Sequence, residues 1–278
     1  MTCDTGAGNG WFDHLKKPYS KSDTGGAMTV KYDDRDAIAH GKITEKPLRE
    51  RPKFPTWALK LTMAITGLIF GGFVLIHMIG NLKVFMPMHD GHYPIDQYGE
   101  FLREVGYPLI PHEGVLWIFR ITLLASLILH VYGAFAITGR AHQSRGKFRR
   151  TNLMGGLNSF TARTMIVTGI VLLAFIIFHI LDLTMGVAPA ASDTFEHGAI
   201  YANLMASFSR WPVAIFYIIA MVVLFLHLTH GIWTAVSDLG ITGKRTRAVL
   251  LFVSYLVPAM VMVGNISIPL AIACGWIS

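Results

Sequence analysis

The sequence predicts an all-α membrane protein, a bundle of five transmembrane helices, and three observations carry that prediction. Of 278 residues, 53% are hydrophobic and only 15% charged, and the mean hydropathy is +0.47, more apolar than a soluble domain of this length needs to be. Five stretches are long enough to cross about 30 Å of hydrocarbon, which takes roughly 20 helical residues each. The basic residues collect in alternate connections between those stretches, as they do on the cytoplasmic side of membrane proteins.

Residues 1–55 are rich in Gly, Asp, Ser, Lys and Arg and poor in apolar side chains, so they read as a partly flexible tail that docks a partner subunit rather than as a domain with its own core. They hold no apolar h-region, which argues against a cleavable secretory signal. Met28, opening MTVKYDDRDAIAHGK, is a candidate translation start beside Met1. Residues 56–278 form the five-helix domain. The first span runs from Trp57 to Val84, with no charge from Leu61 through Leu82. The second runs from Gly114 to Thr138, the third from Thr164 to Met185, the fourth from Trp211 to Ser237. The fifth, Ala248 to Ala273, is uncharged throughout.

Charge sets the orientation. The connection after the second span carries Arg140, Arg145, Lys147, Arg149, Arg150 and Arg163 and no acid. The connection before that span carries Asp90, Asp96, Glu100, Glu104 and Glu113 against Lys83 and Arg103. The basic side is therefore expected inside, together with Lys42, Lys46, Arg49, Arg51, Lys53 and Lys60 before the first span and Lys244, Arg245 and Arg247 before the fifth. This gives a multi-pass protein of the inner (cytoplasmic) cell membrane, N-terminus cytoplasmic and C-terminus outside. The excess of 24 Lys+Arg over 17 Asp+Glu records topology and does not point to nucleic acid. Cys3 and Cys274, at opposite ends, supply neither a disulfide framework nor a CxxC attachment site.

Against this apolar background, one histidine sits deep in each of four spans: His77 in FVLIHMIGNL, His130 in SLILHVYGAF, His179 in FIIFHILDLT and His227 in LFLHLTHGIW. An ionisable group in hydrocarbon is costly and marks function by default. His77 lies 17 residues beyond Lys60 and His179 lies 16 beyond Arg163, about 25 Å from the inner boundary at 1.5 Å per residue. His130 lies 10 residues before Arg140 and His227 lies 11 before Asp238, about 15 Å from that boundary. Four histidines thus sort into two pairs at two depths, His77 with His179 and His130 with His227. Two stacked haems with paired axial imidazoles need this arrangement. With no CxxC, both haems are b-type and held without covalent attachment.

Simpler readings stand beside this one. A single intramembrane histidine often serves as a hydrogen-bonding core residue. Proton relays and transporters also bury histidine, but they bring Asp, Glu or broken helices with them, and Asp182 is nearly alone here. Asp182 reads either as an interfacial cap or as a partner that orients an imidazole, and the cap is the favoured reading. His230, at i+3 from His227, competes for the ligand role, with depth favouring His227. Gly71, Gly72, Gly80 and Gly133 suit close approach of a flat macrocycle but are equally ordinary in helix packing.

The segments HMIGN at His77, LHVYGA at His130, TARTM leading to FHILDLT, and HLTHGIW leading to TAVSDLG resemble the single-chain, five-helix di-haem cytochrome b anchor of succinate:menaquinone and menaquinol:fumarate oxidoreductases, closest to the actinobacterial branch. The similarity covers residues 30–278. It implies a complex in which a flavoprotein subunit with FAD oxidises succinate, a subunit with iron-sulfur clusters relays electrons, and this chain passes them through two haems b to menaquinone. It also implies that the haem on His130 and His227 receives electrons first and the haem on His77 and His179 second. A higher oligomer of the complex stays open.

Haem propionates need cationic partners. Arg163, at the inner end of the third span, is a candidate for the inner haem, although a snorkelling arginine reads equally well. Arg120, about two turns inside the second span, is a candidate for the outer haem, because an unpaired guanidinium there is costly. Glu104, in YGEFLREVG, falls where the resemblance places a quinone-site carboxylate, against the alternative of a solvated loop acid. Some members of that family carry a Glu two residues before the ligand of the fourth span, and here that position is Phe225, which puts that proton path in doubt. Two other classes are weighed: a di-haem cytochrome b subunit of a nitrate reductase or formate dehydrogenase, and a haem-free transporter or proton channel.

Overall fold

The computed structural model describes residues 54–145, 157–241 and 243–277. The tail assigned to residues 1–55, with the start candidate Met28, falls outside these residues except for its last two positions. So do Lys147, Arg149 and Arg150, while Arg163 is described in its backbone alone. The described residues form helices and no strand.

Five of the helices are long and apolar enough to cross a membrane. These are α1 (Thr56–Asn81), α3 (Gly114–Arg145), α4 (Leu157–Ile180), α6 (Trp211–Asp238) and α7 (Lys244–Ala273). The apolar segments span Thr56–Phe85, Gly114–His142, Thr164–Met185, Trp211–Asp238 and Lys244–Ala273, so each expected span exists. The fifth begins four residues earlier than Ala248. Its first turn absorbs Lys244, Arg245 and Arg247, whose long stems can lie along apolar surface while the charge stays in water. Large apolar side chains such as Ile76, Ile79, Phe119, Leu124, Val167 and Val263 are exposed on these helices, as a lipid-facing surface requires.

Two short helices escape the five-span pattern: α2 (Pro94–Glu104) and α5 (Ile200–Phe208). Each lies in a connection at the end opposite the basic one. Pro94 starts α2 at a position where its missing N–H costs nothing. Asp96 of α2 accepts a hydrogen bond from the backbone N–H of Tyr201 in α5 (2.9 Å), and Tyr93 stacks on Tyr201 with ring centres 3.6 Å apart. Burial and the neighbouring Tyr93 push the Tyr201 phenol up from its ordinary value.

Helix α6 is the hub. It packs on α7, α1 and α4, while α3 packs chiefly on α1. Ala214 and Ala220 of α6 have no exposed surface, and small residues at these contacts let helices approach closely where lipid supplies no hydrophobic drive. The best-packed core lies at the α2 and α5 end, where Val84, Ile95, Leu204, Phe208, Tyr217, Ile268 and Ile272 cluster. At the other end Arg140 of α3 donates to Thr56 Oγ1 (2.9 Å) and to the Phe54 carbonyl (2.7 Å), and Lys60 pairs with Asp238 (3.2 Å). Lys60, Arg140 and Asp238, three of the four residues from which histidine depths are counted, therefore share one end of the bundle.

Candidate functional site

The four intramembrane histidines meet in the two expected pairs. His77 of α1 and His179 of α4 have ring centres 5.9 Å apart with planes at 84°. His130 of α3 and His227 of α6 have ring centres 6.4 Å apart with planes at 59°. A metal–imidazole bond of about 2 Å on each side, plus about 1 Å from nitrogen to ring centre, would put two rings on one metal about 6 Å apart. His227 faces His130.

Hydrogen-bond partners assign which nitrogen three of the four rings present. Thr66 Oγ1 lies 2.7 Å from the Thr62 carbonyl and 3.1 Å from His130 Nδ1. A carbonyl only accepts, and His130 also hydrogen-bonds the Met63 carbonyl, so we assign the hydroxyl proton to Thr62 and the ring proton to His130 Nδ1, from which the threonine oxygen accepts. Thr168 repeats the arrangement, with its hydroxyl directed to Thr164 (3.1 Å) and Met165 (3.0 Å) and His227 Nδ1 at 3.0 Å. Tyr217 donates to Asp182 Oδ2 (2.9 Å), and its oxygen accepts from His179 Nδ1–H (3.3 Å). Three of the four rings therefore carry the proton on Nδ1 and leave the Nε2 lone pair free, the state in which imidazole binds metal. His77 stacks on Phe73 (5.3 Å, 20°), as His179 does on Phe175 (5.8 Å, 27°).

Glycines lie beside the second pair. A Cβ at Gly67 would come within 3.3 Å of His130 Cε1, and one at Gly169 within 3.6 Å of His227 Cε1. Of the glycines singled out in the sequence, Gly80 instead faces Tyr98 of α2 and Gly133 faces Met63 of α1, while Gly71 meets Leu228 of α6. These three serve helix contacts and none touches an imidazole.

Asp182 corrects its favoured sequence reading. It is no interfacial cap: it is 1% exposed, in a π-helical turn, Leu181–Met185, that continues α4. Such turns re-aim side chains and recur at functional sites. Its Oδ2 accepts from Ser207 Oγ (2.6 Å) and Tyr217, and its Oδ1 accepts from Arg210 Nη2 (2.9 Å). Arg210 also donates to the Ala190 carbonyl (2.8 Å). Burial of the carboxylate is thus compensated on both oxygens. Through Tyr217 it reaches His179, the partner role that had seemed less favoured.

The remaining candidates fall elsewhere. Arg120 is exposed on α3 with its guanidinium over the Trp117 ring (5.0 Å). Glu104 is exposed at the last position of α2. The backbone of Arg163 lies near the start of α4, and its side chain is outside the described residues.

Sequence reasoning missed Thr66, Thr168, Ser207, Arg210 and Tyr217. A signal existed for the threonines: TGLIFGGFVLIH (66–77) and TGIVLLAFIIFH (168–179) share Thr-Gly, a Phe seven residues after that Thr, and His four residues later. In each copy the Thr of an odd-numbered span serves the histidine of the span that follows it. No family model, curated protein or solved structure matches the chain.

Proposed function

We propose that this chain is the membrane anchor and electron-transfer subunit of a succinate dehydrogenase, passing electrons from an iron-sulfur subunit through two b haems to menaquinone. The observation that carries the reading is the two histidine pairs, each with metal-bridging ring separation and with Nε2 left free wherever the Nδ1 partner is defined. Each pair of facing imidazoles would hold one haem, whose macrocycle would supply the remaining nitrogen donors.

Bound haem b supplies a one-electron iron couple at each level. The chain's residues do the rest. His130 and His227 hold the level nearer Lys60, Arg140 and Asp238, and His77 and His179 hold the level nearer α2 and α5. Thr66, Thr168 and Tyr217 lock three of the four rings, and the apolar helices exclude water. Arg163 is the proposed propionate partner at the basic end. The order of the motifs HMIGN, LHVYGA, FHILDLT and HLTHGIW supports the succinate and fumarate class over nitrate reductase and formate dehydrogenase cytochromes. The scarcity of acids within the spans supports it over a proton channel.

The test is pyridine haemochrome analysis of the complex purified through this chain. Two haem b per chain, copurifying with flavin and iron-sulfur subunits, is the expected result. A preparation without b-type absorption would overturn the reading, and copurification with a molybdenum subunit would move it to the nitrate or formate class.

A further inference from the structure

The two histidine pairs differ in what holds their Nδ1 protons. At His130 and His227 the acceptors are neutral: the Thr168 hydroxyl at His227, and at His130 the Thr66 hydroxyl with the Met63 backbone carbonyl beside it. At His179 the acceptor is Tyr217, and its hydroxyl is committed to the buried Asp182 carboxylate. A carboxylate at the end of such a chain polarises each bond along it and strengthens the imidazole as a donor to metal.

We infer that Asp182, acting through Tyr217, is a positioning residue that orients His179 and holds the haem on His77 and His179 at a lower reduction potential than that haem would otherwise have. The inference rests on the haem reading above. A more electron-rich axial ligand favours ferric over ferrous iron. The site is built for this use rather than for burial alone. The π turn carries Asp182 at a buried position, and Ser207 and Arg210 hold the carboxyl group in place through both oxygens without touching the imidazole. Arg210 offsets part of the charge, so the effect on His179 comes through the directed Tyr217 bond. A clamp that merely joined α5, α6 and the π turn would not need the Tyr217 hydroxyl placed between carboxylate and histidine.

The experiment is a potentiometric titration of both haems in the purified complex, followed by absorbance, for wild type, Asp182→Asn, Tyr217→Phe and Thr168→Val. His179→Ala identifies which signal belongs to the His77 and His179 pair. Asp182→Asn and Tyr217→Phe are expected to raise the midpoint of that haem alone, by about a tenfold change in its reduced-to-oxidised ratio at fixed poise, or about 59 mV for one electron. Thr168→Val should move only the other haem, and Asp182→Glu should restore most of the wild-type value. Tyr217→Phe leaves the Asp182, Ser207 and Arg210 contacts in place, so it decides the matter if Asp182→Asn fails to assemble. Unchanged midpoints in Tyr217→Phe, or equal shifts of both haems, would overturn the inference while leaving the haem reading intact. A wild-type complex without two b haems would instead overturn the haem reading itself.

Discussion

Replacing Thr168 by Val removes one hydrogen-bond acceptor and little else. Both side chains are β-branched and of similar shape, and the hydroxyl's bonds to the Thr164 and Met165 carbonyls leave those carbonyls in their helical pairings. What is lost is the 3.0 Å partner of His227 Nδ1–H, at a residue only 7% exposed, where water cannot readily replace it. An orphaned buried donor costs about 1–3 kcal/mol. Without a bound metal the ring can turn to find another partner, so most of the cost falls on the ligated state. Haem affinity at that level should therefore drop by roughly 10–100-fold, as loss of an outer-shell partner typically gives. The assay is transfer of haem from the purified complex to an excess of an apo haem-binding protein, followed by absorbance. Thr168→Val should speed release of one haem, and Thr66→Val should speed release of that same haem less, because the Met63 carbonyl still serves His130. Thr62→Val, whose hydroxyl bonds only the Ala58 carbonyl (2.8 Å), should leave release unchanged. Equal release from Thr168→Val and wild type, or faster release of both haems together, would refute the assignment of Thr168 as the His227 acceptor.

Gly67→Ala should disturb the His130 ring more than Gly169→Ala disturbs His227, because the added Cβ would sit 3.3 Å from one ring and 3.6 Å from the other. The absorbance band of that haem should shift in the first variant and hardly in the second. Gly80→Ala would place a Cβ 2.5 Å from Tyr98 Cε1 and should loosen α2 from α1, read as a lower thermal midpoint with both haems retained. Lys60→Ala should change stability by less than about 1 kcal/mol, since the lysine side chain is 50% exposed and exposed pairs contribute little. Cys274 is exposed just beyond α7. In a Cys3→Ser background and in intact cells stripped of outer barriers, a membrane-impermeant maleimide should label it if the basic residues report orientation correctly, and labelling only after lysis would reverse the topology.

The spans were legible because an apolar window of about 20 residues is a strong signal and because charge is excluded from them. The pairing of the histidines was legible because helical rise converts residue counts into depth, and Lys60, Arg140 and Asp238 do share one end of the bundle. The short helices α2 and α5 were not, since 11 and 9 residues in polar connections carry too little periodicity to stand out. Asp182 was misread because its environment is made by residues 25, 28 and 35 positions away, and no local pattern announces a π turn. Thr66 and Thr168 were hidden for the opposite reason: intrahelical back-bonding is what a membrane threonine ordinarily does. Only the recurrence of Thr-Gly eleven residues before a histidine set them apart.

The pairing of ligands is the claim on which the rest depends, and haem content in paired variants tests it most directly. His77→Ala and His130→Ala should each cost one haem per chain. Combining His77→Ala with His179→Ala should cost no more than either alone, whereas combining His77→Ala with His130→Ala should remove both. Loss of both haems in the His77→Ala, His179→Ala protein, with one retained in the His77→Ala, His130→Ala protein, would contradict the account.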